Sequence, residues 1–250
     1  MEVLVLQSGS RGNCVYVESE GVAILIDAGI SARQVQLRLM QHGKRLDSVR
    51  AVVISHSHRD HIGHVAVYQR KLRLPTFMTE DGTRVVRDLD ESLCHFFRPN
   101  ERLEFEHLVV EPIMTPHDAP NSLAFVVSDE KHRLAVLTDL GHPFSQLQKV
   151  LASVDAAILE SNYDPELLAE GDYPEWLQER IRGPGGHLSN KEAALLIKKH
   201  GRHLRWICLA HLSQHNNTPE VAYNTYRKVV GSGEPFIADY YQSTPLPAIC

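Results

Sequence analysis

His56-x-His58-x-Asp60-His61 places three histidines and an aspartate within six residues. Imidazole nitrogen and carboxylate oxygen are ligands that zinc and related divalent ions accept, and a site needs several of them converging within a few ångströms. The segment follows Ala51-Val52-Val53-Ile54, a short apolar run that reads as a buried strand. A loop leaving such a strand has a rigid base and a drier surrounding. His56 and His58 can then project together while Asp60 and His61 turn toward a second position. The alternative, a solvated polar loop, does not account for so dense a set of ligand types.

One cluster cannot fill two metal positions, so further ligands are expected downstream at strand ends on the same rim. His117 follows a strand expected over Val109–Met114, Asp139 follows one over Leu134–Leu137, and His211 follows one over Trp206–Leu209. Singly, each reads as a surface histidine or the start of a turn. Together with the first cluster they repeat one rule, an apolar run and then a ligand.

The elements that must carry these residues are legible from composition and periodicity. Val3–Leu6, Cys14–Glu18 and Val22–Ile26 are apolar runs of strand length, separated by the Gly/Ser turn Ser8–Asn13 and by Gly21. Ser31 fits an N-cap for a helix running to about His42 and stopped by Gly43. A helix is expected from about Ile62 to Arg73. More strands are expected at Leu123–Val127 and Ala156–Leu159, with helices near Phe144–Leu151, Pro174–Arg182, Ser189–His200 and Pro219–Val230. Ser189 and Glu192 form an S-x-x-E capping box. Gly183-Pro184-Gly185-Gly186 reads either as a linker or as a tight loop presenting His187. The order predicts sheet packed on sheet with helices outside, an α/β architecture in one domain over 1–250, with an irregular tail after Tyr240.

Composition narrows the function classes. A net charge of −5 argues against a protein that coats nucleic acid, although one basic groove suffices for a nuclease. Four scattered cysteines without a C-x-x-C pair suit a reducing compartment, and the Met1–Gln7 stretch lacks the features of a signal peptide. No apolar stretch approaches the roughly 20 residues of a membrane helix, so a cytoplasmic location is expected.

His56, His58, Asp60 and His61 resemble the H-x-H-x-D-H motif of the metallo-β-lactamase superfamily without substitution. His117, Asp139 and His211 resemble its later histidine, bridging aspartate and final histidine, and Asp27 resembles the aspartate of its early D-x-G turn, which supports the metal loop. The resemblance implies a four-layer αββα sandwich. It also implies one ion on His56, His58 and His117, a second on Asp60, His61 and His211, and Asp139 between them. Such an ion pair lowers the pKa of bound water from 15.7 toward about 7 and clamps the attacked group. Zinc, manganese and iron all suit these ligands.

The segments Ser8–Asn13, Glu160–Asp164, Gly186–Asn190 and His211–Asn217 narrow the resemblance to the YycJ/WalJ-type branch, which implies a 5′→3′ DNA exonuclease in which Asp60 helps to orient the attacking water. His187 resembles a histidine near the scissile phosphate in tRNA 3′-processing relatives, and a general acid there contributes about 10²–10⁴-fold. Glu160 could orient it, or be an ordinary structural carboxylate. Ser8, Ser10, Asn13, Gln214, Asn216 and Asn217 could donate to substrate phosphates, or simply form turns. Two basic runs, Arg70–Arg73 and Lys198–Arg205, could track a phosphate backbone, or be solvated helix faces. A tRNA-processing endoribonuclease is disfavoured because 21 residues between His117 and Asp139 leave no room for a tRNA-gripping arm. Thioester or lactone hydrolysis and an inactive metal-binding scaffold are the remaining alternatives.

Overall fold

The apolar runs pair into two sheets, and the computed structural model describes them across residues 1–250. The first sheet is built by β1 (Glu2–Gln7), β2 (Cys14–Ser19), β3 (Val22–Ile26), β4 (Val49–Val53), β5 (Thr76–Met78) and β6 (Cys94–Phe96), neighbours in chain order. The second contains β7 (Leu103–Phe105), β8 (Leu108–Met114), β9 (Leu123–Ser128), β10 (Arg133–Leu137), β11 (Ala156–Glu160), β12 (Trp206–Ala210) and β13 (Phe236–Ile237). A last strand, β14 (Thr244–Pro245), returns to the first sheet and pairs antiparallel with β1.

Period-two alternation explains how the strands are covered on both faces. In β1, Val3 and Val5 enter a core shared with Ile24 and Val53 of the same sheet and Phe125, Val136 and Ile158 of the other. Leu4 and Leu6 face the opposite way, toward Val35 and Leu39 of α1 (Ala32–Gln41). The far face of the second sheet is covered by Leu147 and Leu151 of α4 (Ser145–Leu151), Ala193 and Ile197 of α7 (Asn190–His200), and Ala222 and Tyr226 of α8 (Pro219–Val230). The result is the αββα layering expected from the sequence.

Three local expectations need correction. The helix expected from about Ile62 to Arg73 is present as α3 (Val65–Leu72), but it starts later, and a separate short turn, α2 (Arg59–Ile62), precedes it across Gly63. His58 is the N-cap of α2 and its carbonyl accepts from the amides of His61 and Ile62, so Asp60 and His61 ride on a helical turn rather than a free loop. The segment after Tyr240 is not simply irregular. Besides β14, it buries Ile249, a contribution of roughly 1.5–3 kcal/mol that ties the segment to the core. Finally, α5 (Pro165–Glu170), capped by Asp164, precedes α6 (Glu175–Arg182) and was not expected. At 183–186 the chain is a tight loop: Gly186 N donates to Gly183 O and His187 N to Ile181 O. A Cβ on Gly186 would lie 2.0 Å from Ile181 O, so glycine is required there.

Candidate active site

β3 and β4 run parallel, as do β10, β11 and β12, so their carboxyl ends open on common edges of the two sheets. Asp27 follows β3, His56 follows β4, Asp139 follows β10, Glu160 ends β11 and His211 follows β12. Asp27, Asp139 and His211 have φ of 67°, 55° and 54°. Left-handed backbone costs about 1–2 kcal/mol for an L-residue, less for aspartate, and such strain gathers where a side chain must be aimed out of a strand. The two sheet ends thereby meet. His58 Nδ1 and His117 Nε2 are 3.2 Å apart, and His61 Nε2 is 3.0 Å from Asp139 Oδ2. His211 Nε2 and His61 Nε2 each lie 3.5 Å from Asp60 Oδ2. Ligand atoms of His56, His58 and His117 lie within 4.8 Å of one another, and those of Asp60, His61 and His211 form a second such group.

Most of these imidazoles are oriented through their second nitrogen. His61 Nδ1 donates to Asp27 Oδ2 at 2.6 Å, and Asp27 Oδ1 accepts the Ser55 amide at 2.8 Å. His56 Nδ1 donates to Ser55 Oγ at 2.9 Å, and Ser55 Oγ donates to Asp27 Oδ2 at 3.1 Å, so one buried carboxylate holds two histidines. His117 Nδ1 donates to Gly186 O at 3.0 Å, which explains why the Gly-rich loop must be tight. His211 Nδ1 faces Glu160 Oε1 at 3.3 Å. Each arrangement directs Nε2 into the centre, the tautomer a metal ligand needs. His56 Nε2 and His211 Nε2 are buried with no hydrogen-bond partner, and Asp139 Oδ2 faces His61 Nε2 as acceptor to acceptor when His61 Nδ1 donates to Asp27, a costly state that coordination would relieve. The donor set fits two divalent ions.

The metallo-β-lactamase superfamily model matches residues 8–199. The chain belongs to the metallo-β-lactamase superfamily. Exodeoxyribonuclease WalJ of Streptococcus pneumoniae is 31% identical over 230 residues, spanning 88% of this chain and 85% of that protein. Exodeoxyribonuclease YycJ of Bacillus anthracis is 31% identical over 245 residues, spanning 93% and 92%. The metallo-β-lactamase fold protein YhfI of Bacillus subtilis superposes with a TM-score of 0.74 at 19% identity, covering 98% of both chains, and supports the fold alone.

Within this metallo-β-lactamase centre Glu160 has more partners than its sequence context suggests. Its Oε1 accepts from His187 Nδ1 at 2.7 Å as well as facing His211, while Oε2 accepts the amides of Leu140 and Leu188 at 3.0 and 3.1 Å. Burial alone would raise its pKa, but His187 and His211 outweigh burial and hold it down to about 2. His211 mirrors this: burial opposes its charge, yet Asp139, Asp60 and Glu160 lift it to about 10. Burial and the neighbouring histidines push His56 well below its usual range. The His187 ring stands 5.1 Å from that of His117 and 5.4 Å from that of His211, partly exposed at the mouth.

Several residues expected to donate to substrate are instead buried inside the protein. Ser8 Oγ accepts the His211 amide at 2.8 Å. Asn13 Oδ1 accepts the Gly9 amide and its Nδ2 lies 3.2 Å from Asp60 Oδ2, so it positions Asp60. Asn217 Nδ2 bridges Ser161 O, Asn162 O and Asn190 Oδ1, and Asn216 is buried beneath the same loop. Ser10 and Gln214 alone among the six reach the surface. Lys198 and Lys199 end α7, about 1.5 Å per residue from its capped start beside His187, and Arg73 pairs with Asp90.

Four supporting groups escaped the sequence reading. Ser55 relays Asp27 to His56, and Asn162 Nδ2 donates to His211 O at 2.7 Å. Asp118 lies 3.7 Å from His58 Nε2 and accepts from Arg180 Nε of α6 at 2.6 Å. Gly29 is the fourth: a Cβ there would lie 1.8 Å from Asp60 O, which accepts the Asn13 amide. Ser55 and Asp118 adjoin motif histidines in sequence, but nothing local marks Arg180. No helix is long and apolar enough to cross a membrane.

Proposed function

We propose that the chain is a two-metal phosphodiesterase that removes nucleotides from DNA in the 5′→3′ direction. His56, His58 and His117 would hold one ion, Asp60, His61 and His211 the other, with Asp139 between them; zinc and manganese are the leading candidates, with iron also compatible. When bound, such ions generate a nucleophile from water at neutral pH and offset charge on the attacked phosphoryl group.

The chain's own residues supply the rest. Asp27, Ser55, Gly186 and Glu160 hold ligand imidazoles in the required tautomer, and Asn13 holds Asp60. The observation that carries the phosphodiester reading is His187, a histidine outside the ligand set with Nδ1 committed to ionised Glu160. Its Nε2 has no partner within the protein on a side chain that is partly exposed, so it is free to hand a proton to a departing alkoxide. A poor leaving group needs such an acid, whereas a thioester does not. Relatives named as exodeoxyribonucleases over nearly the whole chain support the same reading.

The test is digestion of end-labelled single- and double-stranded DNA and RNA across added metals, beside a thioester panel and elemental analysis. Stepwise shortening of DNA from the 5′ end is expected. Thioester turnover without nuclease activity would overturn the proposal.

A further inference from the structure

Two loops flank the Asp60–His211 side of the centre, Ser8–Asn13 and His211–Asn217, and the connection between β13 and β14 leans on both. In that connection Tyr240 donates its hydroxyl to Ser213 O at 3.0 Å, and its ring lies 3.2 Å from where a Cβ on Gly9 would stand. The next residue, Tyr241, turns outward and stays 55% exposed. Its backbone is nevertheless fixed. Asp239 Oδ1 accepts the amides of Tyr241 and Gln242 at 2.6 and 2.8 Å, and the buried Arg38 guanidinium donates to Tyr241 O.

The ring has two polar neighbours, one from each flanking loop. The Arg11 guanidinium sits 5.7 Å from its centroid, and Gln214 Nε2 donates to its hydroxyl at 3.0 Å. Arg11 is exposed and has no carboxylate partner, so its charge is available. Both neighbours are anchored close to the metal ligands. Arg11 is two residues before Asn13, which contacts Asp60, and Gln214 is three residues after His211. A rigidly mounted aromatic face, a free guanidinium and an amide are thus gathered where the two loops that border the centre meet. Neither core packing nor ion pairing explains this combination.

We propose that Arg11, Gln214 and Tyr241 form a nucleotide subsite, in which Tyr241 stacks a base of an unpaired strand and Arg11 meets the adjoining phosphate. The inference rests on the nuclease reading. Every base offers a π face, and guanidinium planes stack on bases as aromatic rings do, so the subsite is tolerant of sequence. A base inside a duplex hides both faces, so the subsite favours single-stranded ends. Gln214 steadies the ring through its hydroxyl.

The test measures KM and kcat for a single-stranded DNA oligonucleotide, and for the same strand carrying abasic residues at its terminal positions. Tyr241→Ala is expected to raise KM for the ordinary strand about 5- to 100-fold, the range of one base–aromatic stack, with the change in KM rather than kcat. The wild-type protein should suffer a comparable rise on the abasic strand, with Tyr241→Ala adding little to it. Tyr241→Trp should restore the wild-type KM. A twofold change or less in Tyr241→Ala, or an equal loss on both strands, would overturn the subsite while leaving the nuclease reading standing. A wild-type protein that cleaves no DNA under any metal would remove the nuclease reading and the subsite together.

Discussion

The two sides of the metal centre are supported by different physics. On the inner side, His56 and His61 share Asp27, and His211 leans on Glu160; these carboxylates are 4% and 0% exposed. On the rim, the carboxylate beside His58 is Asp118 at 3.7 Å, itself 31% exposed and held by Arg180, which is 52% exposed. Buried charge-assisted hydrogen bonds are short, directional and costly to leave half made. Exposed ion pairs are worth little and yield to solvent. The inner half is thus a preset socket, whereas the rim half is held by a partly exposed ion pair between Asp118 and Arg180 of α6. That contrast suits a centre that must hold metal firmly and still admit a polymer.

The comparison can be broken by substitution. Asp60 comes from α2 and faces both His61 and His211, so Asp60→Asn is expected to take DNA cleavage below detection while circular dichroism stays native. Full activity in a folded Asp60→Asn protein would remove the inner ion from the chemistry. Next in size is Glu160→Gln, which takes the charge from His187 and His211 together. A fall in kcat of about 10²–10⁴-fold is expected, with metal content largely kept. A loss of metal with no change in kcat per bound ion would instead make Glu160 purely structural.

The same residue sharpens the contrast through pH. The folded pKa of Glu160, about 2, lies below its ordinary 4.5, so its contribution to stability is present above 4.5 and lost as pH falls toward 2. Urea unfolding of the metal-free protein across that window should be less pH-dependent in Glu160→Gln than in wild type. Identical slopes would show that the inner carboxylate carries no such charge-assisted bonds.

Smaller effects follow for the two carboxylates that support motif histidines at different depths, Asp27 and Asp118. Asp27→Asn should weaken metal affinity about 10–100-fold, measured by competition with a chromogenic chelator. Asp118→Asn should cost less than about tenfold and leave the melting temperature unchanged, as befits an exposed pair. Equal losses at the two positions would show that the inner and rim carboxylates support their histidines equally.

Much of this was legible in the chain. The H-x-H-x-D-H run, the ligand after each later strand, and the strands themselves follow from residue type and from period-two burial, which are local properties. The capping box at Ser189 was equally local and is present as expected. The helix expected from about Ile62 to Arg73 is present as α3, whereas the short α2 turn before Gly63 has no signal of its own in the sequence. Asn216 and Asn217 misled because polar residues in a loop read as exposed. Here Asn217 fills a buried amide network that joins β11, α7 and the His211 loop, and Asn216 is buried beside it.

Ligand chemistry and approximate order of elements were therefore written in the sequence, since both depend on neighbours a few residues away. Which carboxylate orients which imidazole was decided only by the tertiary structure. Glu160 reaches His187 and His211 across 27 and 51 residues, and Asp27 reaches His61 across 34. A hydrogen bond is satisfied within about 3 Å in space whatever the distance along the chain, so only the stacking of two sheets could select these partners.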